Sequence, residues 1–175
     1  MTAGRVVRVG ATGHRTFDDP AEVADRVRIA LARLLRLAGD EADGVAVRLE
    51  VVSPLAEGAD RLVAREVLAL PGATLVAALP FPTEDYATDF AAPESRAEFD
   101  AFLNGARSVD VMPPVAGREA GYEQVGRWVV DRCDALLALW DGEPSRGQGG
   151  TADIIAYAAD RGVPVSWVRV MRMRG

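Results

Sequence analysis

Short apolar runs alternate along this chain with longer segments whose apolar residues recur every three or four positions. Residues 6–10, 47–52, 74–79, 108–112, 135–140 and 163–170 read as strands. Between them, helical periodicity covers residues 20–38, 58–70, 95–106, 119–132 and 151–160. In the first helical stretch Val23, Val27, Ala30, Leu31, Leu34 and Leu37 share one stripe. Asp18 or Asp19 precedes Pro20 as a cap, and Gly39 fits the stop. Pro71-Gly72 ends the second helix, and Pro113-Pro114 breaks the chain before the fourth. The polar, acidic stretch 83–95 after Pro80-Phe81-Pro82 is the least regular, and reads either as a lid over a ligand or as a surface connection.

The strands are apolar without clean alternation, so the sheet is expected to be covered on both faces. Strictly alternating strands and helices predict an α/β fold. The expected architecture is a single-domain, Rossmann-like, doubly wound sheet, mostly parallel, of about six strands. No repeat, low-complexity segment or linker divides residues 1–175. A chain of 175 residues buries roughly 70% of its unfolded surface, enough for a core without disulfides or metal.

In such folds ligands bind beyond the carboxyl ends of the strands. Three candidate loops fall there. The richest is Gly147-Gln148-Gly149-Gly150-Thr151-Ala152-Asp153, between an apolar strand and a helix. A glycine-rich turn with a helix N-terminus behind it suits phosphate. Asp153 sits in the first helical turn, as a dipole-matched residue or as part of the site. Trp140 and Asp141 end the preceding strand, placed to stack on a base or to contact a ribose. The first loop, Gly10-Ala11-Thr12-Gly13-His14-Arg15, lacks the full dinucleotide fingerprint, which argues against an ordinary NAD dehydrogenase. Its Arg15 is suited to phosphate and its His14 to a hydrogen bond or proton transfer. In the middle loop Glu57 is the candidate acid or base, and Gly58 permits close backbone approach. Asp60 and Arg61 read as a local ion pair. Arg118 and Tyr122 are placed to reach the cleft from the start of their helix, and Arg172 and Arg174 form a basic tail expected in solvent.

Composition narrows the chemistry. All 20 basic side chains are Arg, so a P-loop lysine and a Schiff-base lysine are both excluded. The single Cys, Cys133, reads as core, and the single His rules out a multi-histidine metal site. No metal and no cofactor is called for. The chain lacks a membrane-length apolar run and a signal-peptide pattern, which predicts a cytoplasmic protein. The net charge of -6 and the lack of a basic stripe argue against nucleic acid as a partner. Apolar helix faces leave a homodimer open.

The segments Thr12-Gly13-His14-Arg15, Leu55-Ala56-Glu57-Gly58-Ala59-Asp60-Arg61 and Trp140-Asp141-Gly142 to Gly149-Gly150-Thr151-Ala152-Asp153 together resemble the SLOG superfamily. That Rossmann-like group includes Lonely-guy phosphoribohydrolases, DNA-processing proteins and many further bacterial members. The resemblance implies a nucleotide-derived ligand with its phosphate on Gly149-Gly150-Thr151. Lonely-guy enzymes carry Pro-Gly-Gly-x-Gly-Thr-x-x-Glu, whereas here Ile154 stands where the Glu belongs and the Pro-Gly-Gly start is missing. The leading expectation is therefore a domain that binds a nucleotide, an ADP-ribose-like molecule or a nucleotide sugar, acting as a sensor. The alternatives are an N-glycosidase acting on a nucleoside monophosphate through Glu57 or Asp153, and a DNA-associated module.

Overall fold

The computed structural model describes residues 4–41 and 44–173. Six strands, β1 (Arg5–Gly13), β2 (Val47–Ser53), β3 (Thr74–Leu79), β4 (Ser108–Val111), β5 (Ala135–Trp140) and β6 (Val165–Arg169), form one sheet in the order β4-β3-β2-β1-β5-β6. Every neighbouring pair is parallel. The helices are α1 (Pro20–Glu41), α2 (Ala59–Leu68), α3 (Thr83–Tyr86), α4 (Pro93–Gly105), α5 (Arg118–Val130) and α6 (Thr151–Asp160). The chain winds outward from β1 to β4, then returns through α5 to β5 on the other side of β1. Parallel crossovers are right-handed, so reversing direction moves the helices to the opposite face. The reversal makes the gap between β1 and β5 the topological switch point.

Both faces are buried, as the apolar strands require. Val7, Val9, Leu49, Val51, Leu75, Ala77, Leu137 and Leu139 pack with Val23, Val27 and Leu31 of α1 and with Val63 and Val67 of α2. On the other face Val52, Val76 and Ala78 meet Val125 and Val129 of α5, while Leu136 meets Ile154 and Ala158 of α6. Cys133 lies buried in that second layer, and burial pushes its thiol up to about 11.

The fold departs from the sequence pattern in three places. First, β1 runs on through Gly13 instead of ending at Gly10. Its glycines serve packing: a Cβ at Gly10 would lie 2.8 Å from Val129 Cγ1, and one at Gly13 only 2.4 Å from the Leu139 carbonyl oxygen. Second, α1 continues past Gly39 to Glu41. Third, the stretch 83–95 is neither a lid nor a bare connection. It holds α3, a 3-10 turn (Ala87–Asp89) and the start of α4, and its Tyr86 and Phe90 are fully buried against Phe99 in edge-to-face and tilted ring contacts. No described helix is long and apolar enough to cross a membrane.

Candidate functional site

Beyond the carboxyl ends of β1 and β5, at the switch point, lies a cleft of about 470 Å³. One wall is Gly13, His14 and Arg15. The other is Trp140 with the loop of residues 143–150 and the first turn of α6, and Asp60, Tyr86, Glu119 and Tyr122 close the remaining sides. Gly149 has φ +74°, and a Cβ there would lie 2.7 Å from the Cα of Glu123, so only glycine lets the loop pass this close to α5. Ser145 Oγ accepts the Asp153 N–H at 3.2 Å and the Gly150 carbonyl accepts the Ile154 N–H at 3.2 Å. The Thr151 and Ala152 N–H groups find no acceptor among the described residues. Two open donors at the positive end of a helix dipole have the geometry and sign suited to an anion. Arg15, Arg146 and Arg172 line the same cleft.

His14 is buried and held on both ring nitrogens. Its backbone N–H donates to the Leu139 carbonyl at 3.1 Å, fixing the end of β1 to β5. Nε2 lies 3.0 Å from Asp141 Oδ1, and Nδ1 lies 3.1 Å from Nη2 of Arg172. Arg172 Nε is 3.3 Å from Asp141 Oδ2. The Asp141 backbone N–H also donates to Nε2 at 3.2 Å, so Asp141 meets the ring through both its backbone and its carboxylate while Arg172 covers Nδ1. Burial alone would raise the Asp141 carboxyl, but the Glu143 N–H, His14 and Arg172 together hold it below the usual range. Asp141 thus stands behind His14 as its orienter.

Asp60 sits in the first turn of α2 with 8% of its surface exposed. Burial pushes its carboxyl up to about 7, against the opposing pull of the Ala56 N–H at 3.3 Å and of the Arg15 and Arg61 charges. Beside it, Tyr86 is fully buried, and burial with the nearby Asp60 charge drives its phenol upward. The placement of α2 depends on Gly58. Its φ is +82°, and a Cβ would stand 2.3 Å from the Arg15 carbonyl oxygen. Ala59 N–H then donates to the His14 carbonyl at 3.0 Å, welding the start of α2 to the end of β1.

The cleft therefore brings together Gly13, His14, Arg15, Trp140, Gly149, Gly150 and Thr151, with Gly58 and Asp141 in support. Other residues singled out in the sequence lie elsewhere. Glu57 lines a neighbouring hollow with Arg65 and Glu98, and accepts the Ser95 hydroxyl. The Asp153 side chain is exposed and outside the cleft wall. Arg118 pairs with Asp85 at 2.8 Å and with Asp89, and its guanidinium lies 4.3 Å from the Phe81 ring centre, so it clamps the α3 segment to α5. Arg61 is buried, donating to the Leu55 carbonyl at 2.9 Å and pairing with Glu98 at 3.1 Å. Sequence reasoning misses Asp60 as a cleft group, together with Arg146 and Arg172. Arg146 carries a legible signal, since it stands at the edge of the glycine loop itself. Arg172 is tied into the site rather than solvated, because the chain after β6 returns across the switch point; Arg174 lies outside the described residues. Among the described residues no group of three or more His, Cys, Asp or Glu is placed to hold a metal ion.

No protein-family model matches this chain, and no curated protein matches it significantly. Its fold matches a solved structure of DNA processing protein A from Helicobacter pylori, described for its single-stranded DNA binding mode. The TM-score is 0.57 at 13% identity, over 92% of this chain and 64% of that one. The chain thus spans 64% of its neighbour's length, and the likeness establishes a Rossmann-like fold related to that of DNA processing protein A. The neighbour overturns one expectation: an acidic balance does not set nucleic acid aside as a partner for this fold. Net charge averages over the surface, whereas binding responds to the local field, and this cleft sets Arg15, Arg146 and Arg172 beside Asp60, Glu119 and Glu143.

Proposed function

We propose that this chain is a nucleic-acid-associated module of the SLOG type that seats a nucleotide unit of single-stranded DNA in the cleft between β1 and β5. The observation that carries the reading is the pair of open amides, Thr151 and Ala152, in a cleft that also holds Arg15, Arg146 and Arg172. In this reading the Gly149-Gly150-Thr151 turn takes one phosphate, Arg146 and Arg15 take its neighbours, and Trp140 and Tyr122 flank sugar and base. His14, fixed by Asp141 and Arg172, supports the wall rather than reacting.

Fluorescence anisotropy with labelled oligothymidylate tests this reading. Two arginine–phosphate contacts on a single strand predict an affinity loss of about sevenfold between 50 and 200 mM salt. Arg146→Ala should weaken binding and flatten that slope by about 0.7. A chain that fails to retain the oligonucleotide at 50 mM salt refutes the reading. The cleft volume of about 470 Å³ supports a second reading, a free nucleotide as ligand, since small-molecule sites span roughly 300–1,000 Å³. Thermal stabilisation by a nucleoside monophosphate without oligonucleotide binding would decide for it.

A further inference from the structure

Trp167 on β6 is 54% exposed, and nothing in the cleft accounts for it. Scattered apolar residues on a surface are ordinary. This one is held rigidly. Trp167 is in register with Ala138, two positions before Trp140, so both indoles stand on one face of the sheet. Their ring centres are 5.5 Å apart at 44°. Trp167 Nε1–H donates to the Trp140 carbonyl at 3.0 Å, and Trp140 Nε1–H donates to the Glu143 carbonyl at 2.8 Å. At Gly142 a Cβ would come only 3.5 Å from Trp167 Cζ2, which sets the exposed ring against the loop that walls the cleft. Both N–H groups are satisfied, so what Trp167 offers to solvent is a fixed π surface. One step inward, Trp140 lines the anion cleft.

One step outward the surface turns basic. The groove between α1 and β6, about 760 Å³, is bordered by Trp167 and Ile29 and carries Arg5, Arg26, Arg33 and Arg169 against a single acid, Asp134. That acid is engaged, accepting the Arg8 N–H at 2.8 Å. Arg33 and Arg169 are exposed and make no ion pair among the described residues. Arg26 donates to the Arg169 carbonyl at 3.0 Å and also pairs with Glu22. Such a concentration of positive charge on a chain of net charge -6 selects a polyanion. A rigid aromatic step between that groove and a phosphate seat selects a polyanion that carries bases.

We infer that a single strand seated in the cleft leaves it over Trp140, stacks a base on Trp167 and lays its backbone along Arg169 and Arg33. The inference rests on the proposed function and extends it by naming a second contact surface and an exit direction. The test compares a dinucleotide, which fills the cleft alone, with a 12-nucleotide oligothymidylate, using the full chain and its variants. Trp167→Ala should weaken the long ligand about tenfold, Trp167→Phe should restore most of that, and neither should move the dinucleotide. Arg33→Glu with Arg169→Glu should act in the same way without touching an aromatic ring, which keeps the test valid if Trp167→Ala folds poorly. Equal affinities of all variants for the long ligand overturn the inference and leave the cleft reading standing. A chain that binds neither ligand overturns both. A groove that takes an acidic peptide, with no effect of the substitutions on DNA, overturns the inference in favour of a protein partner.

Discussion

Asp60 makes the strongest claim for a single side chain. Its carboxyl is pushed up to about 7 in the fold by burial, and returns to the ordinary carboxylate range when the chain unfolds. Below that range both states hold the proton and burial costs nothing extra. Between it and about 7 the folded state keeps a proton that the unfolded state has released, so stability falls as pH rises through this window, and the loss is complete above it. A difference of about three units corresponds to an upper bound of roughly 4 kcal/mol. Asp60→Asn should therefore be more stable than the parent at pH 8.5 and no more stable at pH 4, as read by urea unfolding at the two values. A parent stability that stays flat from pH 5 to 8 would rule this out. The acid itself is visible in the sequence, but its burial is not. Asp60 looks there like the partner of Arg61, whereas that guanidinium turns to Leu55, Ser95 and Glu98. Glu57 and Arg118 mislead in the opposite sense: one stands past a strand end, the other at a helix start, and each is engaged elsewhere, by Ser95 and by Asp85 and Asp89.

At the level of elements, glycine separates what is legible from what is not. Residues 74–79, 135–140 and 151–160 match β3, β5 and α6 end for end, because each is an apolar or periodic run with sharp breakers beside it. The sequence pattern stops β1 short because glycine signals a turn unless a close neighbour explains it. Here Val129, Cys133 and Leu139 do, and none of them is near in sequence. Gly39 and Gly58 put the distinction to experiment. Gly39 lies inside α1 with open space where a methyl group would stand, so Gly39→Ala should stabilise by about 0.5–1 kcal/mol. Gly58→Ala meets both a left-handed backbone and the Arg15 carbonyl, and should cost at least about 2 kcal/mol. Urea midpoints of the two variants should move in opposite directions.

For the whole molecule, the doubly wound sheet is legible from the strict alternation of strands and helices. The strand order is not, since alternation alone does not say where winding reverses. That reversal places the first and third candidate loops side by side and leaves Glu57 in the next hollow. It also gives β1 a share in both layers, with Val7 and Val9 facing α1 and α2, and Gly10 facing α5. Unfolding should accordingly be one cooperative event. All three tryptophans, Trp128, Trp140 and Trp167, fall between α5 and β6, so their fluorescence follows that half while far-ultraviolet circular dichroism follows every helix. The two melting curves should coincide, and a separate tryptophan transition would mean that this half melts alone. The meeting of Arg172 with His14 carries a further consequence. On the ribosome the histidine is made 158 residues before its guanidinium clasp, so a nascent or prematurely stopped chain has that wall of the pocket without its fastening until the later stretch has emerged.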